Sequence, residues 1–92
     1  MNNLVNLYLR ENDKVGQVIN DGIFVESLSN LYRMDLVKCN ITHLDMNVFI
    51  NLTKLEILEL SKNPLFSLPS AIKVLPRLFA LWMFQTNVTT II

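Results

Sequence analysis

Leucine-type residues recur at the same offsets in four stretches of the chain. These are Leu4-x-x-Leu7-x-Leu9-x-x-Asn12, Leu31-x-x-Met34-x-Leu36-x-x-Cys39, Leu55-x-x-Leu58-x-Leu60-x-x-Asn63 and Leu78-x-x-Leu81-x-Met83-x-x-Thr86. Successive first leucines lie 27, 24 and 23 residues apart. Inside each stretch, Leu7-Tyr8-Leu9, Met34-Asp35-Leu36, Leu58-Glu59-Leu60 and Leu81-Trp82-Met83 alternate with period two, the mark of a short strand buried on one face. Strands this far apart in sequence cannot be joined by tight hairpins, so the spacing predicts parallel stacking with a return crossing over the opposite, convex side.

A second apolar set closes each coil. Val25, Leu28 and Leu31, then Phe49, Leu52 and Leu55, then Ile72, Leu75 and Leu78 sit three apart and predict a filler row of short helical or 3₁₀ turns. The last residue of each stretch (Asn12, Cys39, Asn63, Thr86) is a small side chain turned inward toward the adjacent coil. Asn12 and Asn63 are expected to bond backbone groups left free where the strand turns away, because buried polar groups need partners. Cys39 in that place reads as a buried, inert thiol, since a reactive one needs an exposed electropositive setting. The first coil carries about three extra residues, and Asp13 to Val18 has no clear assignment.

A period of roughly 20–29 residues carrying L-x-x-L-x-L-x-x-N is the sequence mark of leucine-rich repeats. The chain resembles that family over essentially residues 4–92. The repeat running through Phe49-Ile50-Asn51-Leu52-Thr53-Lys54-Leu55 is similar to the roughly 24-residue class of extracellular receptors of the Toll-like kind. The next, through Leu65, Leu68-Pro69, Ile72, Leu75 and Leu78, is similar to the roughly 23-residue Leu-Pro class, also common in cytosolic scaffolds. The first repeat departs from both. The resemblance implies an α/β solenoid: a right-handed coil of about four repeats, starting near Leu4, Leu31, Leu55 and Leu78. A short parallel β-sheet would line its concave face, with irregular, 3₁₀ or short helical turns on the convex face. It implies a binding surface rather than an active site, although one frame carries many unrelated functions.

Size and composition narrow the picture. Ninety-two residues make one small domain at most. An ordinary globule of this length buries only about 60–65% of its unfolded surface. A short solenoid fares worse, because each unit touches only its neighbours and the ends need polar caps. No cap is visible, while 51% of residues are apolar and the formal net charge is zero. Residues 1–92 are therefore expected to be a segment of a longer array, with self-association through uncapped ends left open. The eight basic residues are scattered, which argues against a nucleic-acid footprint. Apolar runs such as Leu78 to Phe84 fall far short of the roughly 18 residues of a membrane span. Met1-Asn2-Asn3 carries neither the basic start nor the apolar core of a signal peptide.

Catalytic patterns are missing. There is no Ser, His and acid in a plausible order, no H-E-x-x-H, and no Gly-rich phosphate loop with only Gly16 and Gly22 to build one. Glu56 and Glu59 read as solvated charges on the strand face, and His43 as a turn residue. Cys39, His43 and Asp45 are close in sequence, but one Cys and one His in the whole chain make a poor metal set. A single Cys also excludes an intrachain disulfide. No enzyme activity, cofactor or metal is expected.

The outward residues of the strands offer the candidate site. The central column reads Tyr8, Asp35, Glu59, Trp82, flanked by Asn6, Arg33, Ile57, Ala80 and by Arg10, Val37, Ser61, Phe84. Mixed charge suits a protein or peptide ligand better than a polyanion or bare lipid. Phe79, Trp82 and Phe84 lie within six residues, and exposed aromatic clusters favour interface anchoring. The competing reading is structural, with a cap or loop covering them. The partner-binding set is thus Tyr8, Arg10, Arg33, Asp35, Glu59, Phe79, Trp82 and Phe84.

Three N-glycosylation triplets begin at Asn40, Asn51 and Asn87. The 11 Asn and 10 Ser plus Thr of the chain would give roughly one by chance. Asn40 and Asn87 directly follow the ladder position and Asn51 falls on the convex side, so no sugar would block the strands. An extracellular or cell-surface setting is expected, with a cytoplasmic one as the alternative. The expected function is protein binding on the concave face by part of a receptor or co-receptor of innate-immune or adhesion type. The alternatives are an intracellular scaffold, and a truncated fragment without independent activity.

Overall fold

A computed structural model describes residues 4–24, 28–65 and 70–86. Its four strands, β1 (Asn6–Tyr8), β2 (Arg33–Asp35), β3 (Ile57–Glu59) and β4 (Ala80–Trp82), form one sheet in the order β1-β2-β3-β4. All three pairings are parallel, and the register aligns Leu7, Met34, Leu58 and Leu81 across the sheet. The period-two pattern forces this register. A slip of one residue would turn each inward leucine to solvent.

The coils are joined on both sides of the strands. Before them, one carbonyl takes two N–H groups from the next coil. Val5 O accepts from Tyr32 and Arg33, Tyr32 O from Glu56 and Ile57, and Glu56 O from Phe79 and Ala80, all at 2.7–3.1 Å. Beyond them, ladder bonds continue from Leu9 N to Asp35 O, Leu36 N to Glu59 O and Leu60 N to Trp82 O. Each coil then turns away through a residue at positive φ: Glu11 (60°), Lys38 (54°), Lys62 (61°) and Gln85 (54°). None is glycine, although the left-handed region costs an L-residue roughly 1–2 kcal/mol. The period in side chains is therefore also a period in backbone conformation.

The core lies between the sheet and the convex turns. Leu31, Met34, Leu36, Phe49, Leu52, Leu55, Leu58 and Leu60 are all fully buried. Each contributes about 1.5–3 kcal/mol through lost apolar hydration. The convex turns close with three-residue bonds, Leu52 N to Phe49 O, Leu55 N to Leu52 O and Leu75 N to Ile72 O, and residues Ser70–Val74 form a 3₁₀ helix. The expected filler row is present at Phe49, Leu52, Leu55 and Leu75, whereas Val25 lies outside the described residues.

The extra residues of the first coil form α1 (Val15–Val18), one helical turn that buries Val15. It docks on the second coil by backbone contact: Gly16 N donates to Cys39 O at 2.9 Å. A Cβ on Gly16 would fall 2.1 Å from Asn40 O, so only glycine fits.

The ladder holds at Asn63 and not at Asn12. Asn63 is 1% exposed, and its Oδ1 accepts from Cys39 N and Ile41 N at 2.9 and 3.0 Å. Its Nδ2 donates to Leu36 O and Leu60 O at 2.8 and 2.9 Å. Three of these four bonds run backward, from a side chain of the third coil to the second, and the one to Leu60 stays within the third. Cys39 likewise sends its Sγ–H to Leu9 O of the first coil at 3.0 Å. Asn12 stands exposed and makes no such side-chain bond among the described residues, contrary to the expectation from its position.

Candidate partner-binding face

The outward columns come into register, although not all of their side chains face solvent. Tyr8, Asp35, Glu59 and Trp82 are register neighbours, as are Asn6, Arg33, Ile57 and Ala80. Strand spacing of about 4.8 Å brings side chains of adjacent coils into contact. The columns interact along diagonals. Arg10 Nε bonds Asp35 Oδ2 at 2.7 Å, and Arg33 Nη2 bonds Glu59 Oε2 at 3.2 Å. The Arg33 guanidinium also lies 6.0 Å from the centre of the Tyr8 ring, within cation–π range.

Asp35 corrects the expectation of an exposed acid. It is 1% exposed, and its second carboxylate oxygen accepts from Val37 N at 3.0 Å. Both oxygens are thus committed inside the fold, where an unpaired charge would be costly. Glu59 is also withdrawn, with its side chain 15% exposed. The Arg10 guanidinium pKa is raised, first by its hydrogen bond to Asp35 and then by that carboxylate's charge. Ser61 is buried as well, its Oγ accepting from Phe84 N at 2.8 Å.

The aromatic end is different. Phe79, Trp82 and Phe84 are 84%, 45% and 63% exposed, and the Trp82 and Phe84 rings pack with centroids 5.7 Å apart. Tyr8 is exposed at the opposite end of the central column. Val5 and Tyr32, which precede their strands as Phe79 does, are exposed too. Sequence reasoning singled out only Phe79 of that row, although all three occupy the second place of their repeats.

The remaining polar candidates lie elsewhere. Cys39 is buried, and burial chiefly raises its thiol pKa, while backbone N–H groups of Asn12 and Glu11 oppose the shift. His43 and Asp45 stand exposed with 4.0 Å between them. Asn40 is exposed at a φ of 57°. Asn51 is half-buried on a convex turn, its Nδ2 donating to Phe24 O at 3.2 Å. Asn87 lies outside the described residues. An open cavity of about 550 Å³ beside Phe24, Met46 and Ile50 had no signal in the repeat pattern. No helix of the described residues is long and apolar enough to cross a membrane.

Among known proteins, the leucine-rich-repeat family model matches residues 2–65 and again residues 29–88. No curated protein and no solved structure matches the chain. The family's fold serves protein–protein interaction and is generally non-enzymatic, in keeping with an exposed sheet of mixed aromatic and paired charged side chains. The repeats, the parallel sheet that they build and this match together establish that the chain belongs to the leucine-rich-repeat family.

Proposed function

We propose that this chain is the protein-binding part of a secreted or cell-surface receptor or co-receptor, of innate-immune or adhesion type, holding a protein ligand on its concave face. The observation that carries the reading is the exposed Trp82–Phe84 pair beside a row of paired charges. Large aromatic groups bury much area at little entropic cost and commonly dominate interfaces. Neutralised charges beside them lower the cost of desolvating the rest of the face. Asn40, exposed and away from the strands, supports the extracellular setting.

A second reading, an intracellular scaffold of the same fold, draws on the Leu68-Pro69 repeat and on the engagement of the Asn51 amide with Phe24. Expression in secreting eukaryotic cells separates the two. A glycosidase-sensitive mobility shift that Asn40→Gln reduces supports the receptor reading; cytosolic retention without a shift sinks it. For the concave face, Trp82→Ala should abolish ligand binding while leaving the unfolding midpoint unchanged. Loss of folding instead would make the aromatic cluster core.

A further inference from the structure

We propose that the concave face takes an extended acidic peptide segment carrying one large apolar side chain. The apolar group rests on Trp82 and Phe84, and the segment's carboxylates meet Lys62 and Lys38, with Arg10 one coil beyond them. The inference rests on the concave-face reading above and adds the chemistry of the partner.

The chain has zero net charge, yet the acids and bases of this face are not equally available. Asp35 is buried on Arg10 and the Val37 amide, and Glu59 is held by Arg33. Asp35's partner Arg10 remains 56% exposed and uses only its Nε in the pair, which leaves both Nη nitrogens for another acceptor. Lys38 and Lys62 are exposed and form no ion pair among the described residues. Internal pairing thus withdraws Asp35 and Glu59 and leaves cations along the side beyond the strands, while Glu56, in no ion pair among the described residues, lies in the row on the opposite side. The one acid in the cationic row, Glu11, lies at the end away from the aromatics.

Geometry orders these groups. Lys62 N donates to Phe84 O, Lys38 N to Ser61 O and Glu11 N to Val37 O, so the row beyond the strands runs Phe84, Lys62, Lys38, Glu11. Each step is one strand spacing, about 4.8 Å, and an extended peptide advances about 3.3 Å per residue. From Phe84 to Lys38 is therefore about three residues of a ligand crossing the strands. An apolar residue followed within three or four positions by two acids fits that row.

Trp82 is the chain's single tryptophan, so its emission reports directly on the site. The test titrates the full chain with three synthetic peptides. One holds a phenylalanine followed by three acidic residues, one has the acids amidated, and one has the phenylalanine replaced by alanine. The first should shift Trp82 emission to the blue and saturate, with amidation weakening it about tenfold and added salt weakening it too. The Lys38→Gln, Lys62→Gln double variant should lose that preference, while Lys73→Gln on the convex 3₁₀ helix should keep it. Equal affinity for acidic and amidated peptides overturns the inference and leaves the concave-face reading standing. Equal affinity for the alanine peptide, or displacement by a heparin oligosaccharide alone, overturns it as a bare anion site. Emission unmoved by any peptide also overturns it, and the concave-face reading then rests on its own Trp82→Ala test.

Discussion

The inner two coils and the outer two write the same inward row, but the structure encloses them differently. Leu31, Met34, Leu36, Leu55, Leu58 and Leu60 have no exposed surface. Leu4, Leu7, Leu9, Leu78, Leu81 and Met83 are only partly buried against the same core. Chemistry is constant along the row; the number of flanking coils is not. In a stacked array a side chain is worth what its neighbours enclose, so identical letters carry unequal free energy. The ladder position repeats the lesson, with Asn63 sealed inside and Asn12 in solvent.

Asn63 is the largest lever on that contrast. Asn63→Ala strips partners from two buried amides and two carbonyls, at about 1–3 kcal/mol each. The expected loss is about 4 kcal/mol or more, whereas Asn12→Ala should stay within about 0.5 kcal/mol. Denaturant midpoints followed by circular dichroism measure both, and similar losses would erase the distinction. Next in size, Leu58→Ala should cost about 3–4 kcal/mol and Leu81→Ala about half as much. Equal costs would mean that the fourth coil is as enclosed as the third. The smallest effect runs the other way. Lys62→Gly relieves a left-handed backbone and should stabilise by about 0.5 kcal/mol after the entropy of glycine is charged against it. A loss of stability there would show that the Lys62 side chain supports the turn.

The sheet was readable from the chain because period two leaves no freedom: Leu7, Met34, Leu58 and Leu81 had to align, and the outward columns followed. Asp35 was not readable as buried. Its partner Arg10 lies 25 residues away, on the neighbouring coil and one column over, and neither repeat period nor composition encodes a diagonal. The helix α1 escaped for another reason. Four residues are too few to show a 3.6-residue period, and its fit depends on the absence of a side chain at Gly16. The aromatic cluster was legible as outward-facing from its place in the fourth repeat. The cationic side of the face was not, since it emerges only once the acids are known to be occupied.

The backward direction of the ladder bonds has a consequence for synthesis. The turn after β2 has its Cys39 and Ile41 amides bonded by Asn63, 24 and 22 positions further on. At about 5–20 residues per second, that turn waits roughly one to five seconds on the ribosome before its lock arrives. The Cys39 thiol closes onto the first coil in the same manner. Assembly of the first three coils is therefore directional, the first and second left ajar until their successors emerge, so a pause in translation between them holds open the earlier one.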